Sequence, residues 1–372
     1  MLFVTKREGI NLRKRFRFVI SRTLKKALMS NQVNIRALAE ELNLSIGTIS
    51  KALNDSHEIS AKTKARVLDL VSQRNYIPNA YASNLRKRKS NTIAVVMPDV
   101  ADSFFSVAIK GIEQVAQTKG YHVLIYLTYE SYEKEQAILK EIISGRVDGV
   151  LVSVACETSG LLHFQTVKEK NIPIVFFDRS VDLDTTKIVT NDYHSSYAAT
   201  EHLIKKGCSN IKYLSVSSSI YFSINNNRME GCRQALKDNN LASGESAILQ
   251  CSNDATENYH LLKDLLSASE RPDGLILSVE KLILPLYKVC DELQLSIPDT
   301  IKPVCFTNLK TAPILSPSLT TIEQPAYEIG ETAANMLFKA LGKRPVPLKD
   351  ETIQIPSKLI IRNSTCREAM AC

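Results

Sequence analysis

The sequence predicts an α/β protein with an N-terminal all-α helix-turn-helix domain and a two-lobed, doubly wound α/β body. Three observations carry this. Two short amphipathic helical patterns lie either side of a three-residue turn within residues 33–54. From residue 91 onward, apolar strand-like runs alternate with amphipathic stretches, the pattern of parallel sheets covered on both faces. The segment 91–372 is also too long for one comfortable core, which favours two lobes.

Composition narrows the function classes. The chain has 372 residues, 44% of them hydrophobic and 23% charged, the balance of a soluble globular protein. It has no apolar run long enough for a transmembrane helix, so no membrane partner is expected. The eight Cys include no CxxC pair, which argues against a structural zinc site or a disulfide framework and fits a reducing cytoplasm. Charge is unevenly placed. Residues 1–28 hold nine basic side chains and one acid, and residues 29–90 hold ten and five. The remainder holds 28 basic and 33 acidic. A basic head on a slightly acidic body suggests a polyanion-binding module joined to a sensor of something else.

Residues 1–32 read as a basic extension. Its Arg-rich start has no uninterrupted apolar stretch and so is no secretory signal, and Met29 is a candidate start. The expected partition then runs 33–78 for the helix-turn-helix domain, 79–90 for a hinge helix and linker, and 91–366 for the body.

In the head, Ile35, Leu38, Ala39 and Leu42 form one apolar stripe behind an Asn34 cap. Asn43 suits a turn that needs a positive φ. Ser45 caps a second helix with Ile49 and Leu53 inward. Ser60 caps a third carrying Val67, Leu68 and Val71. The outward face of the second helix then offers Ser45, Ile46, Gly47, Thr48, Ser50, Lys51 and Asn54. These are small hydrogen-bonding groups with one cation, suited to phosphates and base edges. A plain three-helix bundle accounts for the same pattern.

The stretch Leu38-Ala39…Leu44-Ser45-Ile46-Gly47-Thr48-Ile49-Ser50-Lys51-Ala52-Leu53-Asn54, then Ile59-Ser60…Arg66-Val67, then Tyr76-Ile77-Pro78-Asn79-Ala80…Ala82…Leu85 resembles the LacI/GalR family of bacterial transcription regulators. The resemblance implies that the second helix enters the major groove. It further implies that Asn79, Ala82 and Leu85 belong to a hinge helix whose Leu85 wedges into the minor groove, an apolar insertion that unstacks a base step and bends the duplex. Two departures stand out. Gly47 falls where many members carry a base-reading side chain, and Lys51, a point charge, replaces the forked Arg. Shape and hinge contacts are therefore expected to carry more of the sequence preference.

Strands are expected at 92–98, 121–128, 147–154, 172–178, 211–216, 273–279 and 302–306, with helices such as Ser106–Lys119, Tyr132–Ser144, Ser195–Lys206 and Arg228–Asn239 between them. The resemblance extends to 366 and implies a periplasmic-binding-protein-like body, its effector between the lobes and chain crossings near 191, 322 and 345. Effector-binding candidates lie where strands end: Asp102, Phe104, Phe105, Asp178, Arg179, Arg228, Glu280, Asn308 and Gln324. Aromatic faces stack on sugar rings, and a carboxylate beside a guanidinium offers acceptors and forked donors to hydroxyls. Core packing for the Phe pair and a structural ion pair for Asp178-Arg179 are the plainer alternatives. Val279-Glu280 and Phe306-Thr307-Asn308 depart from the family's usual Asn-Asp and Phe-Asp, which argues against a standard sugar bound in the standard way.

No nucleotide, metalloprotease or hydrolase motif is present, so no enzyme activity, cofactor or metal is expected. The expected function is a cytoplasmic, nucleoid-associated homodimeric repressor of carbohydrate-use genes. It would bind double-stranded DNA at a pseudo-palindromic operator and respond to a sugar-like effector.

Overall fold

The computed structural model describes residues 34–76, 89–216 and 223–366. The chain divides into two compact units, the first ending at Arg86 and the second beginning at Lys87.

The first unit holds three helices: α1 (Ile35–Leu42), α2 (Ile46–Leu53) and α3 (Ala61–Gln73). Each starts at the expected cap, since side-chain oxygens of Asn34, Ser45 and Ser60 accept backbone N–H groups at 2.9, 3.0 and 3.3 Å. Asn43 ends α1 with φ +52°, a left-handed turn residue. Ala39, Ile49, Ala52 and Val67 form the core. Two expectations need correction. Leu68 is 52% exposed, and Leu70 takes its place inside, because Val67, Leu70 and Val71 share a helical face. Ile46 is half-buried against the core and does not point outward.

The second unit contains two six-stranded sheets. In chain order its elements begin β1 (Thr92–Met97), α4 (Ser103–Thr118), β2 (His122–Leu127), α5 (Tyr132–Ile142), β3 (Gly149–Val152), α6 (Leu162–Glu169), β4 (Ile174–Phe177) and β5 (Lys187–Thr190). Next come α7 (Asp192–Lys205), β6 (Ile211–Ser215), α8 (Ser223–Asp238), β7 (Ile248–Gln250), α9 (Ala255–Ser267), β8 (Gly274–Leu277), α10 (Ile283–Glu292), β9 (Lys302–Phe306) and β10 (Thr320–Glu323). The series closes with α11 (Ala326–Leu341), β11 (Thr352–Ile355) and β12 (Lys358–Ile360).

One sheet runs β2-β1-β3-β4-β5-β11, with every pair parallel. The other runs β7-β6-β8-β9-β10-β12, parallel except for the last pair. In each, the order reverses at the first strand, β1 or β6, and that switch point opens a crevice at the strands' carboxyl ends. The central strands are buried on both faces, which explains their continuous apolar runs.

The chain crosses between lobes three times. Asn191 lies at the first crossing and Gln324-Pro325 at the second. The third falls at residues 356–357, between β11 and β12, and not near 345. The Asn191 side-chain oxygen accepts the Ser357 N–H at 2.9 Å and so ties the first crossing to the third.

Each lobe also contains a pair of helices in backbone contact across a glycine. A Cβ on Gly330 of α11 would come within 2.1 Å of the Ala108 carbonyl oxygen of α4. One on Gly231 of α8 would come within 2.1 Å of the Tyr193 carbonyl oxygen of α7.

Candidate effector cleft and nucleic-acid interface

On the first unit, the exposed face of α2 presents Ser45, Gly47, Lys51 and Asn54, with Thr48 and Ser50 half-buried beside them. Local bonds already hold several of these groups. The Ser45 and Thr48 hydroxyls lie 2.9 Å apart, Asn54 donates to the Ser50 carbonyl at 2.7 Å, and Lys51 pairs with Glu58. A Cβ on Gly47 would touch only Ser45 Oγ, at 3.6 Å, so packing does not demand glycine there. Asn79, Ala82 and Leu85 lie outside the described residues.

In the second unit, the ends of β1, β2, β3 and β4 face those of β6, β8, β9 and β10 across a cleft of about 720 Å³. That volume suits a small organic ligand. Asp102, Phe104, Phe105, Asp178, Arg179, Arg228, Glu280 and Gln324 all line it. Asn308 does not. Its side chain donates to the Gln324 carbonyl at 2.6 Å and accepts the Gln324 N–H at 3.3 Å, so it fixes the second crossing, and the neighbouring Thr307 lines the cleft in its stead.

Asp102 caps α4 through the Phe104 N–H at 2.8 Å. Phe104 and Phe105 are nearly fully buried and meet edge to face at 5.3 Å. Phe105 also meets Phe177 at 6.3 Å and has the Arg179 guanidinium 5.6 Å above its ring. The pair is therefore both cleft wall and core.

Asp178 leaves β4 with φ +59°, a left-handed conformation that Asp tolerates better than most residues and that costs about 1 kcal/mol. Arg179 Nη1 donates to both Glu130 oxygens at 2.8 and 2.9 Å, and its Nε lies 3.6 Å from Asp178. Burial works against ionised Glu130, yet Arg179 holds its carboxyl below the usual range.

Burial pushes Asp178 from an ordinary 3.8 up to about 7, against the pull of Arg179 and Arg228. The folded state therefore binds this proton more tightly than the unfolded chain, and the stability associated with it falls as pH rises from 3.8 towards 7. Asp178→Asn is expected to flatten that fall in thermal melts across the interval. An unchanged slope would refute the assignment.

Arg228 lies within α8, which begins at Ser223, so it does not open the helix. It is buried, donates to Asp192 at 2.7 Å and to the Ser278 carbonyl at 3.0 Å, and stacks 3.9 Å above the Phe306 ring. Despite burial, Asp192 raises its pKa further, so it stays protonated. Glu280 of the second lobe accepts the Ser103 N–H of the first at 2.9 Å and also the Ser103 hydroxyl. Thr307 donates to the same carboxylate at 2.7 Å. Sequence reasoning missed Glu130 and Ser278, whose only signal is position just after a strand, and it named Phe306 and Thr307 only within the altered Phe306-Thr307-Asn308 stretch, from which it chose Asn308.

Among the described residues, no helix is long and apolar enough to cross a membrane, and no group of three or more potential metal ligands occurs.

Residues 34–79 match the bacterial regulatory proteins of the lacI family, and residues 200–365 match the periplasmic binding protein-like domain. The ribose operon repressor of Halalkalibacterium halodurans is 28% identical over 89% of this chain and 96% of the relative. Catabolite control protein A of Priestia megaterium is 26% identical over 90% and 99%. Among solved structures, the lac repressor dimer bound to operator and an anti-inducer aligns with a TM-score of 0.79 at 22% identity, covering 90% of this chain and all of that one. A transcriptional regulator solved with cellobiose aligns with a TM-score of 0.66 at 18% identity, over 90% and 100%.

Proposed function

Because the chain belongs to the lacI family of bacterial regulatory proteins, we propose that it represses carbohydrate-use genes as a cytoplasmic homodimer on a pseudo-palindromic operator. A sugar-like effector between the two lobes sets its operator affinity. The observation that carries this reading is the cleft itself. Acceptors, guanidinium donors and aromatic rings from both lobes converge where the chain crosses between them, so a ligand there touches both lobes at once.

In this reading Ser45, Gly47, Thr48, Ser50, Lys51 and Asn54 present α2 to the major groove, with Ile46 supporting the helix from behind. Lys51 must exchange Glu58 for a phosphate or a guanine edge. Asn79, Ala82 and Leu85 supply the hinge contacts. Effector binding shifts the balance between lobe arrangements, and the coupling is reciprocal: whatever the effector does to operator affinity, operator does to effector affinity by the same factor.

The test is selection of bound sequences from a random duplex pool, followed by titration at two salt concentrations. A near-palindrome with a central pyrimidine–purine step supports the reading. No enrichment, with or without sugars in the buffer, defeats it. Leu85→Ala is expected to weaken binding of the selected operator at least tenfold, about 1.4 kcal/mol or more, while random-DNA binding barely changes. Equal losses on both would remove the wedge role.

A further inference from the structure

Each positive group lining the cleft already has a partner within the chain. Arg179 is held by Glu130 and Asp178, and Arg228 by Asp192 and the Ser278 carbonyl. Lys281 donates to Asn253 at 2.6 Å. A further positive element at the cleft is the N-terminal end of α4, where Asp102 already takes the Phe104 N–H and the Ser103 N–H would suit a phosphate or carboxylate. A carboxylate of the chain itself occupies that position. Glu280 reaches from the other lobe, takes both the N–H and the hydroxyl of Ser103, and is steadied by Thr307.

Beyond Glu280, the cleft wall carries Asp99, Asp102, Glu130, Glu157 and Asp178 against the two arginines and one lysine. Neither Asp102 nor Glu280 forms an ion pair among the described residues, and the two carboxylates act on each other as like charges. Ser278 lines the same cleft with a buried hydroxyl that has no hydrogen-bond partner among the described residues. What remains for a ligand is chiefly acceptors and a hydroxyl, with the Glu280 carboxylate fixed at the start of α4 and paired with no cation among the described residues. An anion entering there meets that carboxylate directly.

We propose that Glu280 sets the charge class of the effector: the cleft takes donor-rich neutral or cationic polyols and refuses phosphorylated or carboxylated ones. This rests on the reading of the cleft as the effector site.

The test uses the full chain, with inorganic phosphate as the probe, in calorimetric titrations at constant ionic strength. The matched pairs glucose with glucose 6-phosphate and ribose with ribose 5-phosphate are run alongside. The wild type is expected to bind neither phosphate nor either sugar phosphate. Glu280→Gln keeps the size of the side chain and removes its charge, and is expected to raise phosphate affinity about tenfold or more. Thr307→Val loosens Glu280 without changing charge and is expected to refuse phosphate as the wild type does.

The proposal fails if wild type binds a sugar phosphate at least as tightly as its parent sugar. It also fails if Glu280→Gln leaves phosphate binding unchanged, or if Thr307→Val gains it equally. Operator binding is read on the same samples. A chain that binds no operator overturns the regulator reading, while the phosphate comparison still decides the role of Glu280.

Discussion

Arg228→Ala is expected to lower the stability of the sensor body by about 3–5 kcal/mol, because it leaves Asp192 buried without its cation. The same change removes the donor to the Ser278 carbonyl and the charge stacked on Phe306. Three elements lose their common fastener: α8, the start of α7 at the first crossing, and the end of β8. Urea or thermal unfolding would read the loss.

The double change Arg228→Ala with Asp192→Ala is expected to recover part of that stability, since no charge is then stranded. It should not recover ligand response, because the guanidinium in the cleft is still missing. A single variant that unfolds like wild type would mean that the ion pair contributes nothing, and that Arg228 serves the ligand alone. The sequence-based expectation gave Arg228 only that second role. The buried Asp192 partner adds the first.

The second large effect concerns Gly231, the glycine of Arg228-Met229-Glu230-Gly231. In an exposed helix, Gly→Ala stabilises by about 1 kcal/mol. Here the sign should reverse. A Cβ at 231 would sit 2.1 Å from the Tyr193 carbonyl oxygen and 3.1 Å from the Tyr197 nitrogen, and helix backbone does not yield as a side-chain tip does. Gly231→Ala is expected to destabilise, and Gly231→Val to cost about 3 kcal/mol or more as α7 and α8 are forced apart. Gly47→Ala serves as the contrast. It is also helical, but a Cβ there meets open space apart from Ser45 Oγ, so it should stabilise the head by about 0.5–1 kcal/mol. If both alanine variants stabilised, the close helix approach would be wrong. The spacing of Arg228 and Gly231 thereby acquires a physical account. One turn of α8 brings the charge that neutralises Asp192 and the gap that lets α8 lie against α7.

How much could be read beforehand follows from where each signal resides. Caps and helical stripes are local, so Asn34, Ser45 and Ser60 were legible, and so were strands with continuous apolar runs such as β1 and β4. Leu68 misled because adjacent apolar residues on a helix cannot all face one side. The strands β5, β7, β10, β11 and β12 escaped notice because they have only three or four residues and mix Lys, Thr, Glu and Gln with apolar positions. Residues 342–351, with Gly342, Pro345 and Pro347, resemble a linker, yet the chain is still on its way to β11, which pairs with β5. Strand-end position identified most of the cleft. It could not tell Thr307 from Asn308, since the turn beyond a strand has no fixed alternation. It could not pair Glu130 with Arg179 either, because neighbouring strand ends meet only in the folded sheet.

The three crossings also bear on how the protein is made. The core of the first lobe includes Ile329, Ala333, Leu337 and Phe338 of α11, and its sheet is completed by β11. These residues are synthesised after the whole of β6 to β10. While the ribosome is still translating the second lobe, one face of the first-lobe sheet therefore has α4 over it but lacks α11, which packs on β3, β4 and β5. A nascent chain in that state leaves Leu151 of β3 and Val175 of β4 without α11, residues that are fully buried once folding ends. Such exposure invites aggregation or chaperone capture. The threading that joins the two lobes at three crossings also delays completion of the first lobe until β6 to β10 have been translated.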